Sequence, residues 1–128
     1  MARRSDQGEP VGFLRRTLDR LATTTGAIED AELREDAEAA GCAPISGCGD
    51  RQLATLHGTL RTVTLRPRGG VSALEAELYD GSGTATLIWL GQRRIAGISP
   101  GRQITVRGRV GMQDGTRVLY NPRYELCA

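Results

Sequence analysis

Apolar and polar residues alternate most regularly between Leu74 and Gly91, in LEAELYDGSGTATLIWLG. Leu74, Ala76 and Leu78 fall on one side of an extended chain, and Glu75, Glu77 and Tyr79 on the other. That period of two predicts a strand with one buried and one wet face. Asp80-Gly81-Ser82-Gly83 then interrupts the pattern with residues that supply tight-turn backbone angles. A second arm follows, alternating through Thr84, Ala85, Thr86 and Leu87 and then apolar on both sides at Ile88, Trp89 and Leu90. The stretch predicts a β-hairpin at the centre of a small barrel. A strand apolar on both sides is covered on both, or offers one to a ligand.

The same texture extends both ways from the hairpin. ATLHGTLRTVTLRP is long for one strand, and its alternation slips by one residue between Leu60 and Val63. A slip of that kind predicts a β-bulge that bends the strand, and Gly58 permits a close backbone approach. Arg66-Pro67-Arg68-Gly69-Gly70 reads as the loop into the second strand. After Gly91, QRRIAGISPG reads as a helical turn or packed loop that caps the barrel with Ile95 and Ile98 inside. In the fourth strand Ile104, Val106, Val110 and Met112 face inward, with Gly108 at a bend, while Thr105, Arg107 and Arg109 face out. Asp114-Gly115 marks a turn, and RVLYNP is the fifth strand, with RYELCA trailing from it. Five strands with a capping element between the third and fourth predict a mainly β OB-fold, a five-stranded Greek-key barrel. An SH3-like barrel would have shorter strands and no use for the cap.

Ahead of the barrel the period lengthens. Val11, Leu14, Leu18, Leu21 and Ala22 recur at helical spacing in VGFLRRTLDRLAT, which predicts an amphipathic helix. Residues 27–40, AIEDAELREDAEAA, are rich in Ala, Glu and Leu but have a thin apolar stripe. They form either a short surface helix or an acidic linker that ends at Gly41. The expected organisation is a helical, acidic extension over 1–41 and a barrel over 42–128, α+β overall.

Charge sharpens that division. Residues 1–50 hold six arginines against ten acidic residues, and residues 51–128 hold eleven arginines against five. All seventeen basic residues are arginine, whose planar fork binds phosphate and stacks on bases. The absence of lysine excludes Schiff-base chemistry and a Walker lysine. No apolar run approaches the roughly 18 residues of a membrane span, and the polar start does not resemble a secretory signal, so a cytoplasmic protein is expected. An odd number of cysteines, three, agrees with that.

Little else points to reactive chemistry. Cys42, Cys48, Cys127 and His57 match no zinc-knuckle spacing and read as buried thiols and a strand-surface histidine. No nucleophile–base pair, metal cluster or phosphate loop stands out, and Glu75 with Glu77 reads as a solvated pair. The expectation is a protein that is not an enzyme and has no cofactor.

Three short stretches carry a resemblance. Asp80-Gly81-Ser82-Gly83 is similar to the D-G-[ST]-G turn between strands two and three in RecG-type helicase wedge domains and the tRNA-anticodon-type OB-fold group. Gly108 in VRGRV resembles the glycine of the fourth-strand pattern, and Asn121-Pro122-Arg123-Tyr124-Glu125 resembles the [HN]-P-x-Y-E ending of the wedge group. Over residues 42–126 the chain resembles small, stand-alone actinobacterial OB-fold nucleic-acid-binding-domain proteins. The resemblance implies an OB-fold and, with it, a nucleic-acid partner; the expectation for the barrel is single-stranded or branched nucleic acid bound with little sequence preference. Such folds bind on the outer face of strands two and three and grip with the loops between strands one and two and four and five.

Phosphate needs cations there and bases need aromatic planes. The candidates are Arg66 and Arg68 in the first loop, Arg117 beside the second, Tyr79 on strand two, Arg93 and Arg94 after strand three, and Arg107 on strand four. Arg61, Arg109 and Arg123 are further outward cations. Trp89 is a candidate stacking residue or a core residue; the pattern leaves both open. Glu75 and Glu77 lie on the expected binding face and would repel phosphate, so the same face could instead dock a protein or a second copy of the chain.

Overall fold

The structure, a computed structural model, describes residues 26–127. The helix expected over VGFLRRTLDRLAT lies outside the described residues. Residues 26–39 form a helix, α1, followed by a 3-10 turn at Ile45–Gly47. Seven strands come next: β1 Leu53–Arg68, β2 Val71–Tyr79, β3 Thr84–Leu90, β4 Gln103–Arg109, β5 Gly111–Gln113, β6 Thr116–Tyr120 and β7 Arg123–Leu126. They hydrogen-bond in the order β5-β6-β3-β2-β1-β4-β7. The β3–β6 pair is parallel and the others are antiparallel. Among the described residues no helix is long and apolar enough to cross a membrane.

The mainly β class is as expected, but the ladder is a seven-stranded mixed sheet with ends at β5 and β7, not a closed five-stranded ring. Two local events account for the extra strands. Val110 leaves the ladder between β4 and β5, donating its N–H to the Gln52 carbonyl at 2.8 Å and accepting from the Arg51 N–H at 2.7 Å. The tail RYEL does not trail away; it pairs with β4 as β7.

The hairpin forms as expected, with the expected apolar side of each arm inward. Leu78 faces Ala85, Ala76 faces Leu87 and Leu74 faces Trp89, so alternate residues of both arms enter the core. The register of β1 against β2 shifts between Leu60 and Thr62, where the sequence slips phase. Arg61 is the extra residue. The bend lets the first half of β1 pair with β4 and the second half with β2. Gly58 is tightly confined, because a Cβ there would overlap the Tyr79 carbonyl. The expected loop at 66–70 is shorter than anticipated. Arg66, Pro67 and Arg68 belong to β1, and only Gly69 and Gly70, with φ of +57° and +81°, make the turn. Two successive positive φ values suit a two-residue hairpin and favour glycine at both places.

The core lies between the inner faces and includes Leu56, Leu60, Leu78, Leu87, Ile104 and Leu119, all fully buried. Each such side chain contributes roughly 1.5–3 kcal/mol relative to exposure. Residues 91–102 form the packed cap without a helix; Ile98 is buried and Ile95 packs partly against the core. Met112, expected inside, is 40% exposed, because β5 follows the break at Val110. Of the two readings of residues 27–40, the helix is the one observed, and Ala37 is its fully buried contact. Gly41, at φ +74°, ends it; its N–H donates to the Glu38 carbonyl, and that of Cys42 to the Ala37 carbonyl.

Candidate nucleic-acid interface

The β2–β3 turn is built around Asp80, which is fully buried. Its Oδ1 accepts from the N–H and hydroxyl of Ser82 and the N–H of Gly83. Its Oδ2 accepts from the Ile45 N–H at 2.9 Å and from Arg34 of α1 at 2.8 Å. The turn thereby ties the hairpin to both the 3-10 turn and α1. Gly81 makes the docking possible, since a Cβ there would run into the Asp30 carbonyl.

This docking changes the surroundings of Tyr79. Its hydroxyl donates to Asp30 of α1 at 2.7 Å, and the Arg61 guanidinium lies 3.5 Å from the centre of its ring. One ring face and the hydroxyl are therefore engaged within the chain. Beside them α1 and the sheet enclose a cleft of about 370 Å³, lined by Glu29, Asp30, Glu32 and Asp36 on one wall and Arg61, Tyr79 and Gln103 on the other. Its acidic wall is unsuited to phosphate.

The remaining expected site residues do not form one surface. Arg66 and Arg68 both lean on Glu75, at 3.6 Å and 2.7 Å, so the acid foreseen as a repulsive neighbour neutralises them. Arg117 donates to the Cys48 and Ser46 carbonyls; it ties down the connector ahead of β1. Trp89 is a core residue. It is 5% exposed, its indole N–H donates to the Pro122 carbonyl at 3.1 Å, and a base has no access to its ring. Ile88, on the opposite side of β3, is covered in a second apolar cluster with Ala73 and Val118. Leu90, Val71 and Tyr120 remain 41%, 48% and 42% exposed on the outer face of β2, β3 and β6. Arg93 and Arg94 are exposed in the cap.

Cations do gather elsewhere on the outward face, toward the β7 end of the ladder. Thr55, Arg107 and Arg123 stand on one rung across β1, β4 and β7, and Arg109 occupies the next outward position along β4. Arg107 donates to the Thr55 hydroxyl at 2.9 Å, and Arg109 donates to the carbonyl of Arg51. Arg107, Arg109 and Arg123 are exposed. Glu125 is the carboxylate on this face, one rung further along opposite Thr105. Tyr124, on the other side of β7, is 42% exposed. Its ring meets Trp89 edge-to-face, with centroids 5.8 Å apart. Sequence reasoning missed Tyr124 because RYEL was read as a tail; its alternation is the signal that marks a strand.

His57 departs from its expected role as an exposed strand residue. It is 7% exposed, with Nδ1 2.9 Å from the Thr105 hydroxyl and 3.8 Å from the Cys127 thiol. No sequence spacing announces that approach, since β7 brings Cys127 back across the sheet. Cys42 and Cys48 are buried, as expected. Among the described residues no group of His, Cys, Asp and Glu could hold a metal ion.

No family model matches the chain, and no curated protein matches it. Among solved structures the chain is similar to RecG bound to a three-way DNA junction, at 22% identity and a TM-score of 0.50. The likeness covers 61% of this chain and 11% of that chain, and it concerns the fold.

Proposed function

We propose that this protein binds nucleic acid, single-stranded or branched and with little sequence preference, through an OB-type barrel acting as a binding module and not as an enzyme. The OB plan is a reading of the ladder in which β4 and β5, separated only by Val110, act as one bent fourth strand. The antiparallel β1–β2–β3 meander, the β1–β4 pair and the parallel β3–β6 pair then correspond to a five-stranded Greek key, with β7 added beside β4. The fold likeness to RecG, whose solved structure holds a three-way DNA junction, supports the same plan.

The observation that carries the functional reading is the unpartnered charge. Among the described residues only Arg34, Arg66 and Arg68 pair with a carboxylate, while the arginines of β4 and β7 do not. A guanidinium without an internal counter-charge can replace the counterions on a polyanion, so affinity should fall steeply with salt. Fluorescence polarisation with labelled single-stranded and three-way-junction DNA, at 50 and 200 mM salt, tests this. Binding at the lower salt that weakens at the higher is expected; no binding at 50 mM rejects the reading.

A second reading has its own observation. Val71, Leu90 and Tyr120 lie exposed beside the Arg66–Glu75–Arg68 group, a mixed apolar and charged surface of the kind that docks protein. Sedimentation of the pure protein and pull-down after nuclease treatment separate the two: partners that survive nuclease support this one.

A further inference from the structure

The nucleic-acid reading leaves the path of the strand open, and the two broad outer faces of the sheet differ in charge and in what they can hold. On β1, β2 and β3 the outward positions are Thr62, Thr64, Arg66, Glu77, Glu75 and Thr86. Both arginines at that end, Arg66 and Arg68, share Glu75, and Glu77 has no cation beside it among the described residues. A phosphate there would have to displace Glu75 and tolerate Glu77. At the tip of α1 the same sheet is closed to anions by the carboxylates that line the cleft over Tyr79 and Arg61.

The β4–β7 side has the opposite character. Arg107 and Arg123 are direct cross-strand neighbours, which places their Cβ atoms about 5 Å apart. Two like charges opposite each other destabilise a sheet, and among the described residues no carboxylate pairs with either of them. Arg109 continues the row along β4, and its Nη1 bond to the Arg51 carbonyl orients the guanidinium while leaving other N–H groups available. Arg107 is oriented likewise by Thr55. At the edge of the same pair of strands a cleft of about 170 Å³ is lined by Thr105, Val106, Arg107, Arg123, Tyr124 and Glu125. Tyr124 is braced by Trp89, so its ring is held in place before any ligand arrives, and little side-chain entropy is lost when a base stacks on it.

We propose that a single-stranded nucleic acid runs along β4 and β7, with its phosphates on Arg107, Arg123 and Arg109 and one base turned over the free edge of β7 into the cleft beside Tyr124, which lies on the other side of that strand. The outer face of β2 and β3 lies off this path. The inference rests on the nucleic-acid reading above and assigns that activity a surface. Glu125 limits the track at its far end, since a phosphate continuing past Arg123 along β7 meets its carboxylate.

Polarisation with a labelled 20-nucleotide oligothymidylate, on the full chain at 50 and 200 mM salt, tests the assignment. The variants are R107E/R123E and, with the same change in net charge, R66E/R68E. The first should lower affinity at least tenfold and flatten the salt dependence, by close to the two contacts removed. The second should change affinity less than threefold. Tyr124→Leu, which keeps an apolar side chain against Trp89, should weaken binding about fivefold or more with the salt slope unchanged, and Tyr124→Phe should restore it. R107A/R123A serves if the charge reversal fails to fold, as judged by thermal melting, and should weaken binding in the same direction. If the wild-type chain does not bind at 50 mM salt, the nucleic-acid reading itself falls. If it binds, and R66E/R68E weakens it as much as R107E/R123E or more, the β4–β7 path is wrong while the reading stands.

Discussion

Arg34 of α1 donates to Asp80 in the β2–β3 turn at 2.8 Å, joining residues 46 positions apart. Asp80 is fully buried, whereas the Arg34 side chain keeps 21% of its exposure. The carboxylate is an acceptor for five hydrogen bonds from the turn, the 3-10 turn and the helix. Removing the acid therefore orphans donors on three elements at once. Asp80→Ala should cost about 3–5 kcal/mol, the range for breaking a buried ion pair from one side. Arg34→Ala should cost about 1.5–3 kcal/mol, since Asp80 keeps its neutral donors. Urea unfolding of the two variants checks the ranking; equal losses would mean that the helix contact dominates.

Trp89 is the only tryptophan and is buried against Tyr124 and the Pro122 carbonyl. Its emission should be blue-shifted in the folded protein and red-shifted in urea. Because no base reaches the ring, saturating oligonucleotide should leave most of that emission unquenched. Near-complete quenching on binding would mean that the indole stacks on a base.

Gly58 faces the carbonyl of Tyr79 with no room for a side chain. The obstacle is backbone in a paired strand, which cannot swing aside as a side chain can. Gly58→Ala should destabilise by at least about 1–3 kcal/mol, the usual cost of overpacking. Gly115→Ala, where nothing stands within 4 Å but φ is +78°, should cost about 1 kcal/mol from backbone conformation. Thermal melts of the two variants compare steric with conformational cost.

The Tyr79 hydroxyl has its pKa raised above the ordinary value of 10.0, first by its hydrogen bond to Asp30, then by burial and the Asp30 charge, with Arg61 opposing. The folded state thus holds this proton more tightly than the unfolded one. The stabilisation is complete below the unfolded value and is lost as pH rises through the raised folded value. The stability gap between wild type and Tyr79→Phe should therefore be constant from pH 7 to 9 and shrink above pH 10. A gap that grows at alkaline pH would contradict the Asp30 contact.

Burial is the leading cause of raised pKa values for the Cys42 and Cys48 thiols. Less thiolate at neutral pH and little access both slow their reaction. Cys127 is only partly buried. Titration with a chromogenic disulfide at pH 7.5 should show one fast thiol, lost in Cys127→Ser, and two that react only on unfolding.

Local alternation was enough to place the hairpin, a bulge between Leu60 and Val63 and the inward Ile104 and Val106 of β4, because a half-buried strand writes its two faces into every second residue. The phase slip after Leu60 and the confined Gly58 were readable for the same reason. The seven-stranded count was not readable, since the break at Val110 depends on hydrogen bonds to Arg51 and Gln52, more than fifty residues away in the chain. Tyr124 was missed because four residues are too short a run for its alternation to stand out from a tail.

Sequence alone therefore determined the central hairpin, the buried faces of β2, β3 and β4 and the excess of arginine over acid in the second part of the chain. Those properties follow from side-chain polarity and from a two-residue repeat that each strand carries within itself. Only the tertiary structure decided that Glu75 neutralises Arg66 and Arg68, that Trp89 turns inward, and that Arg107 and Arg123 stand side by side. Charge pairing and burial are settled by which strands become neighbours, and a strand's own residues do not encode the partner across from it.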